Sequence, residues 1–314
     1  MKKKVVIDCD VGVDDALALI LAFHSLEMEV LAVTGVNGNV PLEIVMPNIR
    51  KVLTLLQPIR PPLIAGGADR PLKGPGVHAR HVHGEDGLGG AKIHESEDAK
   101  WWRLFPEPAN DLILHLAREN PDEITLIAIG PLTNLACALT KDKEAMSKIK
   151  NLVIMGGAVR VAGNVTPHAE FNFYVDPLAA RIVLDSGLPI TVVPLDATHQ
   201  VPLTPETMEE KVRPMDNPIS RFVIQATGYD RRKSRFRDAK REFYLHDPLA
   251  VGVAIHRDLV MTEPLSLSVV TEEGEHLGQS LERAEQEKNG PKTDVCLGVD
   301  PEKFLKLFLA RLEV

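Results

Sequence analysis

Cysteine is scarce in this 314-residue chain: Cys9, Cys137 and Cys296 are the only three, far apart and each set among apolar residues. That excludes a disulfide framework and reads as buried, reduced thiols of a cytosolic protein. Long apolar runs are missing too. The opening MKKKVVIDCD starts like a signal peptide, but its apolar run stops after three residues. No stretch approaches the roughly 18 apolar residues that a spanning helix needs. A soluble, cytoplasmic protein with no membrane partner is expected. Positive charge does not dominate either. A formal net charge of -8 argues against a nucleic-acid binder, whose affinity would need a basic surface. The most basic stretch, YDRRKSRFRDAKREFY, accordingly reads as a solvated helix and loop.

What is present is an ordinary globular composition, 44% hydrophobic and 25% charged, with enough chain for a sizeable core. Short apolar runs (KVVIDCD, VLAVTGV, PLIAGG, PITVVPLD) alternate with helical spacing in VDDALALILAFHSL, PLEIVMPNIRKVLTLL and DPLAARIVLDSG. DEITLIAIGPLTNLACAL and IKNLVIMGGAVRVAGN each read as a strand turning into a helix. The pattern predicts an α/β fold: a mostly parallel, Rossmann-like open sheet flanked by helices on both faces. No low-complexity linker, composition shift or internal repeat divides the chain, so a single domain over residues 1–314 is expected. The loop-rich stretch at about 67–110 reads as an insertion over one edge.

In such sheets a ligand sits outside the carboxyl ends of the strands. The first strand ends in Asp8-Cys9-Asp10, with Asp14 and Asp15 opening the next helix. Four carboxylates this close repel one another and resist burial unless something positive sits among them. Other strand ends bring Asn37 and Asn39, the turn after Ile129, the run from Met155 to Asn164, Glu170 and Asn172, and His246-Asp247. A hard divalent cation, taking oxygen from carboxylates and carbonyls, would account for the convergence. The plainer alternative has Asp14 and Asp15 only capping a helix.

DCDVGVDDA, NGNV, GPLTNLA, MGGAVRVAGNVTPHAEFN and LHDPLAV, in that order, resemble the inosine–uridine preferring nucleoside N-ribohydrolases over essentially the whole chain. Cys9 and Val11 stand where that family commonly has threonine and proline. The resemblance implies a nucleoside hydrolase fold holding Ca2+ through Asp10, Asp15, Asp247 and the backbone carbonyl of Ile129. It makes Asp10 the general base toward a calcium-bound water that attacks C1′ of a ribonucleoside. His246 would be the proton donor to the leaving base, its ordinary pKa lying near neutrality. Asp14, Asn164, Glu170 and Asn172 would clamp the ribose, with Asn39 alongside and Met155 beside the sugar or simply in the core. His83 would reach ribose or base from a glycine-rich lid, with His78 and His81 at the surface. Tyr229 would open a second flap, at about 226–245. Inosine/uridine-type preference and a homodimer or homotetramer are further implications, as is a role in nucleoside catabolism.

Three other readings stand beside this one. A zinc site at His78, His81 and His83 lacks a cysteine or acidic ligand at a known spacing. A magnesium-dependent phosphatase of the haloacid dehalogenase type also has a strand ending Asp-x-Asp, but Gly12 stands where that motif expects Thr or Val. A non-catalytic nucleoside or sugar-binding protein on the same fold would retain the pocket and lack turnover.

Overall fold

The computed structural model describes residues 2–93, 99–229, 242–283 and 290–313. A central sheet of nine strands runs in the order β10-β13-β7-β6-β5-β1-β2-β3-β4. Its strands are β1 (Lys3–Cys9), β2 (Met28–Gly35), β3 (Leu63–Gly66), β4 (Arg103–Leu104), β5 (Ile124–Ala128), β6 (Asn151–Met155), β7 (Ile190–Val193), β10 (Val260–Leu265) and β13 (Thr293–Val299). All neighbouring pairs are parallel except β10 with β13. Two small antiparallel pairs lie outside it: β8 (Pro202–Leu203) with β9 (Phe243–Tyr244), and β11 (Leu267–Val269) with β12 (Ser280–Glu282).

Helices cover both faces. On one lie α1 (Val13–Phe23), α2 (Leu42–Leu56), α11 (Pro218–Ala226), α12 (His246–Ile255) and α13 (Pro301–Ala310). On the other lie α4 (Ala109–Glu119), α5 (Thr133–Lys141), α6 (Lys143–Met146) and α8 (Pro177–Leu184). Four short helices complete the set: α3 (Arg80–His83), α7 (Phe171–Val175), α9 (Leu195–Thr198) and α10 (Pro205–Thr207). Helix α12 is apolar all round after its first turn and is buried from Asp247 to Ile255, as such a composition requires. The Lys3 ammonium donates to the carbonyls of Ala254 and Ile255 at 2.9 Å each, closing its C-terminal end.

The chain steps outward from β1 through β2, β3 and β4, then returns to β5 on the other side of β1. The reversal leaves a crevice beyond the carboxyl end of β1, where open α/β sheets bind ligands. One sequence expectation needs correction. IKNLVIMGGAVRVAGN forms β6 but no helix follows it. Gly157 has φ +83°, and the Asp196 carboxylate accepts from the amides of Val159 and Arg160 at 2.9 and 2.8 Å, so the chain turns away as a pinned loop. Within the 67–110 stretch, α3 carries His83 over the start of α1.

Side chains alternate along β1: Val5, Ile7 and Cys9 enter one core and Val6 the other. Asp8 shares Val6's face and is fully buried. Thr34 and Asn134 donate to its Oδ1 at 2.5 and 2.8 Å. Asn134 also donates to the Gly35 carbonyl at 3.0 Å and accepts from the Ala68 amide at 2.8 Å, tying the ends of β1, β2 and β3 together. A Cβ on Gly67 would lie 2.0 Å from Asn134 Oδ1, whereas one on Gly66 would meet nothing closer than 3.5 Å. Gly67→Ala is therefore expected to destabilise the fold by about 1–3 kcal/mol and Gly66→Ala by less than about 0.5 kcal/mol. Denaturant unfolding of the two variants checks the difference.

Candidate active site

Four aspartates are built into the crevice by backbone geometry. Asp15, in the first turn of α1, turns its carboxylate back onto the β1–α1 loop. Its Oδ1 accepts from the Asp10 amide at 3.1 Å, and its Oδ2 accepts from the Gly12 amide at 2.8 Å and from Asn39 Nδ2 at 3.1 Å. The Asn39 amide donates to Asp10 Oδ2 at 2.6 Å. Two glycines leave room for Asp10: a Cβ at Gly38 would lie 2.0 Å from its Oδ2, and one at Gly130 2.9 Å from its Oδ1. The capping alternative and the cluster are both present, since Asp15 closes the start of a helix while standing in the acidic group.

Carboxylate oxygens of Asp14, Asp15 and Asp247 lie within 4.8 Å of one another, and all three residues are buried. Asp10 stands beside this trio, its Oδ2 accepting from the Asn39 amide. Asp10 Oδ1 and Asp14 Oδ1 are buried without a hydrogen-bond partner. The ionic influences on Asp10 and Asp247 come from other carboxylates, and on Asp15 from Asp14 and the His83 ring. Burial, then this repulsion, pushes Asp10 and Asp247 well above the carboxylate range. Burial pushes Asp14 and Asp15 up to about 6. Among the described residues, the only basic group paired with these oxygens is the His83 ring, whose Nδ1 lies 3.7 Å from Asp14 Oδ1. Buried carboxylates so placed could hold a cation, and the all-oxygen donor set fits a hard divalent ion.

The other expected residues gather at the same rim, with differences of detail. The Ile129 carbonyl accepts from Asn172 Nδ2 at 2.9 Å, and the same amide donates to the Met155 carbonyl at 3.1 Å and approaches its sulfur at 3.5 Å. Met155 is buried in the core. Glu170 caps α7: Oε1 accepts from the Asn172 amide at 2.8 Å, and Oε2 from the Gly157 and Phe173 amides at 2.9 and 3.2 Å. Burial raises it to about 7. Asn164 is exposed, its Oδ1 accepting from the Phe171 amide at 2.9 Å. His83 is buried, its Nδ1 accepting from the Val13 amide at 3.1 Å, and burial lowers it to about 4. His78 and His81 are exposed as expected.

His246 opens α12 next to Asp247, and Thr198 Oγ1 lies 2.7 Å from its Nδ1. Burial, then the neighbouring His199 and His83 rings, lowers it to about 3. The expectation of a titrating histidine near pH 7 is corrected: the ring is neutral there. The Tyr229 hydroxyl donates to the Leu203 carbonyl at 3.0 Å, a strand contact rather than one in the acidic cluster. Most of the flap expected at about 226–245, residues 230–241, lies outside the described residues. Trp102 is buried in the core and Trp101 is partly buried against it. Asn134, Thr198 and Asp196 were missed as organisers. Their signal was in GPLTN and PLDATH, polar residues placed just after strands.

The carboxyl edge of the parallel sheet thus gathers buried aspartates, asparagines and a histidine in one crevice, the place where open α/β sheets bind small ligands. The family model of the inosine-uridine preferring nucleoside hydrolases matches residues 5–306, and the chain belongs to that family. It is an enzyme, a nucleoside hydrolase. It is 38% identical to the pyrimidine-specific ribonucleoside hydrolase RihA of Klebsiella pneumoniae over 99% of both chains, and 37% identical to RihA of Photobacterium profundum with the same coverage. Among solved structures it is similar to a purine-preferring ribonucleoside hydrolase from Gardnerella vaginalis. That match has TM-score 0.89 and 31% identity, over 99% of this chain and 98% of the other. A plant nucleoside hydrolase, PpNRh1, superposes with TM-score 0.90 and 32% identity over 100% of both chains.

The Asp8 carboxyl gives a pH test of the buried acids. Burial raises it to about 7, from 3.8, so the folded chain binds its proton more tightly than the unfolded chain. The stabilisation is full below about pH 4 and is lost as pH rises through 7. In chelator-treated protein, wild type should lose roughly 2–4 kcal/mol relative to Asp8→Asn between pH 5 and pH 8.5. Urea midpoints at the two pH values measure it, and a constant difference would contradict the reading.

Proposed function

We propose that the chain hydrolyses the N-glycosidic bond of ribonucleosides, inosine and uridine among them, to free base and ribose, with Ca2+ as its metal. The observation that carries this is the set of buried, partnerless carboxylate oxygens at the topological switch point. Asp15, Asp247, Asp10 and the Ile129 carbonyl would hold the ion, with Asp14 close enough to join them. A bound calcium supplies positive charge that polarises a water and orients the ribose diol.

Asp10 takes the proton from the attacking water. Its Oδ2 is fixed by Asn39 while its Oδ1 has no partner, a geometry suited to a general base. As the bond to the base breaks, positive charge grows on the sugar, and the surrounding carboxylates favour it. Asn39 and Asn172 have spent their amide nitrogens on Asp15, Ile129 and Met155, leaving their side-chain oxygens to accept ribose hydroxyls. Asn164 offers the reverse, an amide nitrogen with its oxygen already used. Glu170 braces this rim, and His83 supports the start of α1 and faces the ribose. Losing a hydroxyl would leave such groups unpaired, so 2′-deoxyribonucleosides should be poor substrates.

Negative charge grows on the departing base, and His246 faces it as a neutral N–H donor. Tyr229 stands on the base side of the pocket. The RihA relatives are pyrimidine-specific by name, while structural neighbours include purine-preferring enzymes. The absence of a tryptophan from the described site favours the inosine–uridine type. The enzyme acts in the cytoplasm in nucleoside catabolism, as a homodimer or homotetramer. Among the described residues no helix is long and apolar enough to cross a membrane.

Base and ribose release from inosine, uridine, cytidine and adenosine, with and without chelator, tests the reading. Asp10→Asn should lower kcat by about 10²–10⁴-fold while nucleoside binding persists. Unchanged turnover in that variant would remove Asp10 as the base. Binding without turnover in the calcium-loaded wild type would mark a non-catalytic binding protein.

A further inference from the structure

The segment that positions His246 is a small structure of its own. β8 pairs with β9 through Pro202 opposite Tyr244 and Leu203 opposite Phe243, and the Leu245 amide donates to the Val201 carbonyl at 3.2 Å. This zipper sets the end of α9 against the start of α12, and so brings Thr198 against His246. Thr198 is fully buried. Its Oγ1 has one hydrogen-bond partner among the described residues, His246 Nδ1 at 2.7 Å. The imidazole also meets the rings of His199 and Tyr244, with centroids at 5.7 and 5.8 Å, and those two rings touch each other at 5.0 Å.

A hydroxyl carries one proton, and a buried proton needs an acceptor. Were Nδ1 protonated and donating to Thr198, the hydroxyl proton would be left in the core with nowhere to go. With Nδ1 bare, the hydroxyl donates to it and both groups are satisfied. The neutral ring then carries its proton on Nε2, a nitrogen with no hydrogen-bond partner among the described residues. We propose that Thr198 is a positioning residue that fixes His246 in the Nε2–H tautomer, so that an N–H rather than a lone pair meets the departing base.

The alternative tautomer would present a lone pair to an atom gaining negative charge and would oppose bond cleavage. Partners that fix a ring's tautomer are a general means of directing histidine chemistry. The proposal rests on the reading of His246 as the donor to the leaving group, and its test separates the two. With selectively ¹⁵N-labelled histidine, two-bond ¹H–¹⁵N spectra of the full-length protein report each ring's protonated nitrogen. The His246 signal is assigned by its loss in His246→Gln. Wild type and Thr198→Ser should show a protonated Nε2 and a bare Nδ1, and Thr198→Val should show a mixture or the reverse.

In kinetics, Thr198→Val should lose 10- to 100-fold in kcat on uridine with little change in KM. It should keep activity within about threefold on 4-nitrophenyl riboside, whose leaving group needs no donor. Thr198→Ser should restore uridine turnover. A protonated Nδ1 in wild type overturns the proposal, as does an unchanged spectrum or equal losses on both substrates in the valine variant. If that variant does not fold, the wild-type and serine spectra decide alone. Failure of wild type to cleave any riboside would instead count against the proposed function and leave the tautomer measurement standing.

Discussion

Mutual repulsion among buried carboxylates is the constraint on which this site is built. Asp10, Asp14, Asp15 and Asp247 converge from a strand end and two helix starts, and the protein supplies little positive charge against them. Backbone amides do part of the work: Asp10, Gly12 and Asn39 donate to the cluster. Hydrogen bonds from neutral amides soften the repulsion without cancelling it, because two carboxylate oxygens remain unpartnered. The strand order concentrates these groups, since the chain reverses direction around β1 and opens its crevice there.

Stiffness follows from the same arrangement. Gly38 and Gly130 bring backbone against Asp10 where no side chain would fit, and Asn134 joins three strand ends behind it through Asp8, Gly35 and Ala68. Side chains that could contact a substrate also brace the rim, as Glu170 does at α7 and Asn172 does between Ile129 and Met155. Such double use holds the remaining free oxygens in fixed positions before any ligand arrives. It also keeps the charges close together, which only a cation or a cationic transition state would relieve.

Much of this was legible in the sequence. Alternating apolar runs and helical spacings revealed the parallel sheet, and α2 was recognised in spite of Pro47, which the helix contains. The aspartates after β1 stood out because four acids in so short a span have few physical explanations. The helix expected after β6 was illegible because the Asp196 carboxylate that captures the loop comes 36 residues later. Asn39 gave no hint that it would hold Asp10 and Asp15. For His246, pattern suggested titration near neutrality, whereas burial and two neighbouring imidazoles decide its state, and neither is visible before folding.

The central claim is that the aspartate cluster exists to hold a divalent cation, and calorimetric titration of chelator-treated protein with Ca2+ tests it most directly. One ion per chain should bind with a rise in melting temperature, the stabilisation growing with free calcium as mass action requires. Asp15→Asn and Asp247→Asn, folded by circular dichroism, should lose both the heat and the shift. A wild type that stays folded and takes up no divalent ion, or asparagine variants that bind it as tightly, would contradict the account.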